Sequence, residues 1–319
     1  MHKLGYKIDG VADCSRVSLD EAKHEHKLCE SILFSTPEEL FAFIVPTCLI
    51  IATTADSHCL LTCMAAKLGV KFILVEKPLA VSLDECEKMI YVCERYGALL
   101  SVNHQMRFME QYTKPKKLLD SVAYSGLKSM TVVGGNIGIS MNGTHYFEAF
   151  RFMSGENPVG VSAWFDSGIV ANPRGLQFED RAGSIRIFTA SGMRLYMEIG
   201  FDQGYGLEVI YAGRNGLISV NELTGEFVTS VRQPEFRALP TTRYAMPANS
   251  NHQIIVPAEV IDSTAKVLNA LISDENRVTA EQGMMAIEVL VAAYESAENG
   301  GKLVLIDNKL DRSRIFPWA

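Results

Sequence analysis

The feature that most constrains the fold is a regular alternation of apolar strand-type runs and helix-type segments through residue 102. The strand-type runs lie at 6–12, 48–52, 72–75 and 98–102. Capping boxes at 36–39 and 82–85 begin two of the intervening helices, and Gly69 and Gly97 end two of them. Strands that alternate with helices in this way predict a parallel sheet covered on both faces. We therefore expect residues 1–122 to form a doubly wound, Rossmann-like α/β domain.

Polar side chains follow every predicted strand, at the edge of the sheet where ligands bind in folds of this class. They are Asp13; Thr53, Thr54, Asp56 and His58; Glu76 and Lys77; and Asn103, His104, Gln105 and Arg107. The run at 72–75 leads straight into Glu76-Lys77-Pro78, and the proline ends the strand because it has no N–H to donate. A lysine held at such a position can exchange a proton with a ligand. A strand-end salt bridge between Glu76 and Lys77 is the structural alternative.

The chain changes character near residue 125. Several β-type runs between 127 and 232 are joined by tight links, among them Asn215-Gly216 and Thr224-Gly225. Such dipeptides favour hairpin turns, so we expect a large, mostly antiparallel sheet. Helices are predicted over 256–273 and 280–299, and the polar segment 237–253 is predicted to be a loop. Residues 123–319 should therefore form an α+β domain for substrate binding and oligomerisation, with the C-terminal helices packing back toward the first domain.

Composition excludes several classes of partner. The net charge is −7 and no dense basic run occurs, which argues against nucleic-acid binding. No apolar run reaches the roughly 18 residues that span a bilayer. The segment Met1–Gly10 is too polar for a secretory signal. We therefore expect a cytoplasmic protein that binds neither nucleic acid nor membrane.

The cysteines predict reduced thiols rather than disulfides. They are seven, an odd number, and they include no Cys-x-x-Cys motif. His58, Cys59 and Cys63 also allow a zinc site, although no second spaced pair accompanies them. We predict no metal, and a zinc enzyme remains an alternative function.

One motif of dinucleotide-binding units is missing. In such units an acidic residue follows a glycine-rich turn by about 20 positions. Asp13 has the right context to be that acidic residue, and counting back from it places the turn before Met1. The glycines at 134, 135 and 138 do not lie between a strand and a helix. We therefore expect the first strand and its loop to be missing from this sequence; the alternative is that Asp13 is a simple turn residue.

Three segments share features with one enzyme family. Glu76-Lys77-Pro78 matches a Glu-Lys-Pro motif, 51–58 is similar to a strand-end Ala-Thr-Pro-Asn-x-x-His segment, and 143–148 is similar to a Gly-x-His-x-x-Asp segment. Together they resemble the glucose–fructose oxidoreductase/inositol dehydrogenase (Gfo/Idh/MocA) family over nearly the whole chain. Thr54 and Ala55 stand where that family usually has Pro and Asn.

A second departure lies before the histidine of the third segment. Met141 stands where the family often carries an Asp, and the neighbouring Asn142 cannot act as a carboxylate base. The resemblance still implies an NAD(P)-dependent oxidoreductase. Its reaction would transfer a hydride between the nicotinamide and a hydroxyl or keto carbon of a sugar, cyclitol or sugar derivative. The implied catalytic residues are Lys77 and His145.

The resemblance also implies which residues bind the ligands. For the cofactor they are Asp13, Thr53, Thr54, Asp56, His58, Glu76, Lys77 and Asn103. For the substrate they are Lys77, Arg107, Asn142 and His145. Asp13 would hold the adenosine ribose hydroxyls, which favours NAD, while the nearby Arg16 leaves NADP open. Arg107 also allows an anionic sugar, since a guanidinium matches carboxylate and phosphate geometry.

Two expectations concern the whole molecule. The broad sheet of the second domain is predicted to pair face to face in a homodimer or homotetramer. The alternative to an enzyme is a non-catalytic, ligand-binding or regulatory relative that has lost cofactor binding. The missing glycine turn and Met141 favour that alternative, whereas the intact Lys77 and His145 favour the enzyme.

Overall fold

The computed structural model describes residues 4–135, 137–170, 172, 175, 177–240 and 247–316. The strands of the first domain are β1 (Val11–Ala12), β2 (Leu33–Phe34), β3 (Cys48–Ile51), β4 (Phe72–Val75) and β5 (Leu99–Val102). Its helices are α1 (Arg16–His26), α2 (Pro37–Phe43), α3 (Ala55–Leu68), α4 (Leu83–Tyr96) and α5 (Glu110–Leu119). Strands and helices alternate along the chain as the sequence predicts.

The parallel sheet of the first domain is split in two. β3, β4 and β5 pair in parallel, with Ile51, Val75 and Val102 side by side at their carboxyl ends. β1 and β2 form a separate parallel pair, and neither bonds to β3 in the described part of the chain. The strand predicted at 6–12 is shorter than expected, because only β1 itself has a neighbouring strand. The predicted α/β class of this domain is confirmed.

The second domain is built on one nine-stranded sheet. Its strands are β6 (Leu127–Gly135), β7 (Pro158–Ile169), β8 (Arg181–Thr189), β9 (Arg194–Gly200), β10 (Glu208–Gly213), β11 (Gly216–Asn221), β12 (Glu226–Arg232), β13 (Ala248–Ile254) and β14 (Val304–Leu305). Its helices are α6 (Thr144–Ser154), α7 (Val260–Ser273) and α8 (Ala280–Glu298). The strand order is β13-β12-β11-β10-β6-β9-β8-β7-β14, and all neighbours among these strands are antiparallel except β6 and β9. The predicted mostly antiparallel sheet is confirmed.

One face of the nine-stranded sheet packs against α6 and α8. Ile185 and Ile187 of β8 alternate with half-buried polar residues and are buried in one core with Phe147 of α6 and Ile287 of α8. Burial of a large apolar side chain contributes about 1.5–3 kcal/mol. This layer therefore fixes α6, whose first turn carries His145.

α7 lies against the parallel sheet of the first domain. Val267 and Leu271 of α7 are buried against Leu74 of β4. The predicted division between 122 and 123 falls in the link between α5 and β6. The division itself stays a prediction, and α7 brings the chain back to the parallel sheet.

α8 also returns to the first domain and begins at the predicted capping box. Thr279 accepts the Gln282 N–H through its hydroxyl, and the Gln282 side chain accepts the Thr279 N–H. One turn later α8 approaches β5 so closely that a Cβ at Gly283 would lie 2.5 Å from Val102. Like the other described helices, α8 lacks the long apolar span needed to cross a membrane.

Two predictions in the second domain are wrong in detail. α7 begins at Val260 rather than near residue 257, because Glu259 still has an extended backbone. Within the predicted loop 237–253, residues 248–253 belong to β13, which pairs with β12 along its whole length. The side chains of β13 are nearly all exposed, so the apolar alternation that marks most strands is absent. Residues 241–246 lie outside the described ranges.

Candidate active site

The carboxyl ends of β3, β4 and β5 meet at one edge of the parallel sheet. The N–H of Glu76 donates to the Ile51 carbonyl at 2.9 Å, and the N–H of Asn103 donates to the Val75 carbonyl at 2.8 Å. These bonds place Glu76, Lys77 and Asn103 in one row directly beyond the strands. The sequence predicted this convergence from the polar residues that follow each strand.

Glu76 ties two strand ends together. Asn103 Nδ2 donates to Glu76 Oε1 at 2.6 Å, and the backbone N–H of Lys77 reaches Glu76 Oε2 at 3.3 Å. Asn103 Nδ2 also lies 3.2 Å from the hydroxyl of Thr264 on α7. The Glu76 carboxylate therefore fixes the backbone from which the Lys77 side chain extends.

The Lys77 side chain reaches the second domain. Lys77 Nζ donates a short hydrogen bond to the carbonyl of Met141, in a π-helical turn at 139–143 that leads into α6. The peptide bond between Lys77 and Pro78 is cis. The half-buried Asn142 follows in the same turn, next to the carbonyl that Lys77 contacts. The ammonium of Lys77 is thus held where the two domains meet.

A buried carboxylate that the sequence analysis missed supports this turn. Asp180, just before β8, accepts the N–H of Ser140 at 2.8 Å and the N–H of Met141 at 2.9 Å. A Cβ at Gly138 would lie 1.7 Å from Asp180 Oδ2, so only glycine allows this approach. Burial raises the pKa of Asp180, while the two backbone N–H groups and the charge of Lys77 oppose that rise. The family's usual Asp is absent at Met141, but Asp180 brings a carboxylate to the same turn.

His145 is buried at the start of α6 and faces His104. The two imidazole rings are perpendicular, with centroids 5.3 Å apart. Burial lowers the pKa of His104 to about 4, and it lowers the pKa of His145 well below its usual value; the positive charge of Lys77 acts in the same direction on both. Both rings are therefore neutral near pH 7. A neutral imidazole can accept a proton from a hydroxyl group.

Arg107 lies in a buried charge cluster. Its Nη2 forms a short ion pair with Glu148 and donates to Gln282 Oε1 at 2.8 Å. Glu148 Oε1 also pairs with Arg151 at 3.0 Å. Burial opposes ionisation of Glu148, but Arg107, His104 and Arg151 outweigh it and hold the pKa of that carboxyl below its ordinary value. The substrate role of Arg107 stays a prediction, and its contacts here are structural.

The loop after β3 is held by local bonds. Thr54 precedes the first turn of α3 without a side-chain cap bond, and its hydroxyl donates to Asp56 Oδ1 at 2.6 Å. The Thr53 hydroxyl lies 2.6 Å from that of Ser57. Thr53 and Asp56 are exposed on this loop. Their polar groups are therefore accessible to a ligand at the edge of the sheet.

His58 joins the loops that follow β3 and β4. Its Nδ1 lies 3.0 Å from the Pro78 carbonyl, and its Nε2 lies 3.1 Å from the Thr53 carbonyl. The ring is buried, and burial lowers its pKa. His58 thus positions the loop of Lys77 rather than facing solvent. Across the residues that the structure describes, no three His, Cys, Asp or Glu side chains group as metal ligands do.

Asp13 lies at the carboxyl end of β1 and is exposed. Its Oδ1 accepts the Ser15 N–H at 2.8 Å in the turn before α1, and the Ser15 hydroxyl caps that helix. Ahead of it, the described residues include no glycine-rich turn between a strand and a helix. The cofactor role of Asp13 stays a prediction.

Comparison with known proteins finds similarity to one oxidoreductase family. Residues 2–104 match the Gfo/Idh/MocA model, an oxidoreductase family with an NAD-binding Rossmann fold. The 1-carboxy-3-chloro-3,4-dihydroxycyclohexa-1,5-diene dehydrogenase of Comamonas testosteroni is 26% identical over 196 residues, which cover 54% of this chain and 43% of that relative. The chain thus matches less than half the length of this curated relative.

Solved structures agree in fold over most of the chain. The aldose–aldose oxidoreductase of Caulobacter crescentus, complexed with glycerol, superposes with a TM-score of 0.73 at 18% identity, covering 94% of this chain and 91% of that one. An oxidoreductase of Agrobacterium radiobacter, in complex with NAD+, L-tartaric acid and magnesium, gives 0.74 at 20% identity with the same coverage. At such identities the likeness shows the fold alone. Together with the family-model match over residues 2–104, it shows that this chain has the fold of these oxidoreductases and that its first domain is similar to the Gfo/Idh/MocA NAD-binding domain.

Proposed function

We propose that the protein is an NAD(P)-dependent dehydrogenase or reductase acting on a CH–OH group. The observation that carries this proposal is the meeting of Lys77 with the 139–143 turn, beyond the ends of three parallel strands and next to His145. Ligands bind at this edge in doubly wound sheets. The family match in the first domain supports a dinucleotide there.

The residues of this chain that would hold the cofactor lie along the strand ends. They are Asp13 at the ribose; Thr53, Thr54 and Asp56 along the middle, with the buried His58 supporting their loop; and Glu76, Lys77 and Asn103 at the nicotinamide end. The bound nicotinamide would accept or supply the hydride. Arg16 is already paired with Glu30 at 2.5 Å and with Asp20 at 2.9 Å, so it is less available to a 2′-phosphate. This pairing favours NAD over NADP.

The chain's own residues would manage the proton. Lys77 would donate a hydrogen bond to the substrate oxygen, and the neutral His145 would accept the proton that leaves this oxygen during oxidation. Asp180 would keep the 139–143 turn in place through its two backbone bonds. Asn142 would contact a substrate hydroxyl from the same turn.

The substrate class that this site supports is a sugar, a cyclitol or a related diol. The curated relative is named as a dehydrogenase of a 1-carboxy-3-chloro-3,4-dihydroxycyclohexa-1,5-diene, which is a cyclic diol that also carries a carboxyl group. The pairing of Arg107 with Glu148 gives less support to an acidic or nucleotide-linked substrate, because the guanidinium is engaged inside the protein. We propose a polyol of this class as the substrate of a cytoplasmic enzyme.

We also propose that the open face of the nine-stranded sheet pairs with a second copy of the chain. Trp164 is 52% exposed and Tyr196 is 39% exposed on this face. Arg186 stacks between Tyr196 and Phe188 and lines a cavity of about 230 Å³ with Trp164. An exposed apolar surface of this kind marks an association site. A monomer mass from light scattering at micromolar concentration would contradict the dimer or tetramer.

Cofactor binding and turnover test the proposed function. The full chain is titrated with NADH and with NADPH while its fluorescence and its thermal midpoint are followed. We expect NADH to raise the midpoint more than NADPH does. Reduction of NAD+ is then measured with a panel of polyols, aldoses, cyclitols and cyclic diols. No response to either cofactor would reject the dehydrogenase and favour the non-catalytic relative.

A further inference from the structure

Among the buried polar atoms near the candidate site that have no hydrogen-bond partner, four belong to three neighbouring side chains. They are Nδ1 and Nε2 of His104, Nδ1 of His145 and Oε2 of Glu148. His104 is 1% exposed and Glu148 is fully buried. Each buried group without a partner costs about 1–3 kcal/mol. When several such atoms lie close to one another, they are candidates to form hydrogen bonds with each other.

The three side chains lie on adjoining surfaces. His145 and Glu148 are three residues apart on α6, so they share one face of that helix. His104 approaches this face from the end of β5, with its ring perpendicular to that of His145 at 5.3 Å. The Glu148 carboxylate is the charge that most favours a proton on His104. His104 therefore packs against His145 and lies close enough to Glu148 to feel its charge.

We propose that Glu148, His104 and His145 form a buried hydrogen-bonded series that positions His145. In this series Glu148 Oε2 would accept the N–H of His104, and the other ring nitrogen of His104 would accept the Nδ1–H of His145; the four atoms do not make these bonds in the present side-chain arrangement. Both rings are neutral in this arrangement, and each of the four atoms gains one partner. The catalytic role of this series rests on the proposed dehydrogenase function. The hydrogen bonds do not depend on that function.

The series determines which nitrogen of His145 is basic. With the proton on Nδ1, the lone pair lies on Nε2, the nitrogen that is left to face Lys77 and a substrate hydroxyl. During oxidation the substrate oxygen would lose its proton to His145 Nε2, and a bound nicotinamide would supply the hydride acceptor. His104 and Glu148 exchange no proton in this step. They are positioning residues that fix the tautomer and the ring plane.

The charges around Glu148 explain how it can serve this purpose. Arg107 and Arg151 both bind Oε1 and keep the carboxylate ionised inside the protein. Oε2 is left for a different donor. The charge cluster that holds Arg107 would thus keep Glu148 ionised as the first member of the series that positions His145.

Ring tautomers test the bonds without any activity measurement. The full chain is labelled with ¹⁵N-histidine, and imidazole signals are assigned by comparing wild type with His104→Leu and His145→Gln. We expect one fixed tautomer for each of the two rings, with the proton on Nδ1 of His145, and N–H protons that exchange slowly with water. In His104→Leu, His145 should become a mixture of tautomers. Unchanged His145 signals in that variant would overturn the proposal.

Kinetics tests the positioning role. For His104→Leu we expect kcat to fall about 10- to 100-fold with little change in KM, and His104→Asn, which keeps a donor and an acceptor, to recover part of the loss. In the His145→Gln background, His104→Leu should have no further effect. Independent losses, or a change in KM alone, would contradict the series. The exposed His24→Asn on α1 serves as control. If wild type shows no turnover, the proposed function fails, while the tautomers still decide the bonds.

Discussion

Two neighbouring regions of the candidate site are built in opposite ways. At the edge of the parallel sheet, Glu76 and Asn103 bond to each other, and the ring nitrogens of His58 lie beside the carbonyls of two loops, to one of which the neutral ring can donate. Behind that edge, His104 and His145 are buried with ring nitrogens that lack partners. The edge is held by local bonds, whereas the buried pair depends on the contact between the domains.

The difference shows how the work is divided. A strand-end carboxylate and amide can be fixed by the next strand, so the edge forms whenever the parallel sheet forms. A histidine that must be neutral and correctly oriented needs burial, and burial needs the second domain. Substitutions at the edge should therefore change chemistry more than stability, and substitutions behind it should change both.

The largest expected effect is that of Lys77→Met. Loss of the ammonium removes the group that contacts the substrate oxygen, and we expect kcat/KM to fall about 10²- to 10⁴-fold. The unfolding free energy should change little. Lys67→Met on the exposed side of α3 is the matched control and should retain activity. If kcat/KM of Lys77→Met stays within threefold of wild type, the activation barrier changes by no more than about 0.7 kcal/mol. Lys77 would then take no part in the chemical step.

Glu148→Ala is expected to have the largest effect on stability. It leaves Arg107 and Arg151 charged and without their buried carboxylate, which costs about 3–5 kcal/mol. Urea denaturation measures the loss. The control is Glu87→Ala, which breaks a more exposed pair with Arg312 and should cost about 1 kcal/mol or less. Equal losses in the two variants would mean that the buried cluster contributes no more than a surface pair.

The edge was predictable from sequence because its signals are local. Glu76-Lys77-Pro78, the polar residues after β3 and β5, and the capping box of α8 each lie within a few residues of the element they begin or end. Parallel pairing of β3, β4 and β5 then follows from the alternation with helices. The same local rules predicted the hairpin turns of the large sheet.

The buried part was not predictable, because it joins residues far apart in the chain. Asp180 caps Ser140 from 40 residues away, and Arg107 pairs with Glu148 from 41 residues away. No spacing rule connects such pairs in one sequence. β13 was missed for a related reason: its polar side chains are exposed at the sheet edge, and only its pairing with β12 makes it a strand.

The pH dependence of stability should report on the buried pair. The pKa of His104 is about 4 in the folded protein, against about 6.5 unfolded, so the unfolded chain binds more protons between these values. The contribution of His104 to the unfolding free energy is fully present above pH 6.5 and is lost as the pH falls toward 4. This loss amounts to at most about 3 kcal/mol. His145 acts in the same direction.

Urea denaturation across this pH window measures the effect. His104→Asn should flatten the dependence below pH 6.5, since the variant has no ring to protonate at this position. His24→Asn, on the surface of α1, should leave the curve unchanged. An identical curve for His104→Asn would show that this ring is not held neutral by burial.

The smallest expected effects come from two threonines, one in the loop after β3 and one at the start of α8. Thr279 and Thr54 each precede the first turn of a helix, but only Thr279 makes the side-chain cap bond. Thr279→Ala should therefore lower the unfolding free energy by about 1 kcal/mol. Thr54→Ala should lower it by at most a few tenths, because the hydroxyl bonds to Asp56 instead of the helix backbone. Cofactor titration then completes the comparison: Thr54→Ala should weaken NADH binding, whereas Thr279→Ala, far along the chain from the cofactor loop, should not. If both variants lose stability equally and bind NADH equally, Thr54 is an ordinary cap and the loop after β3 has no part in binding the cofactor.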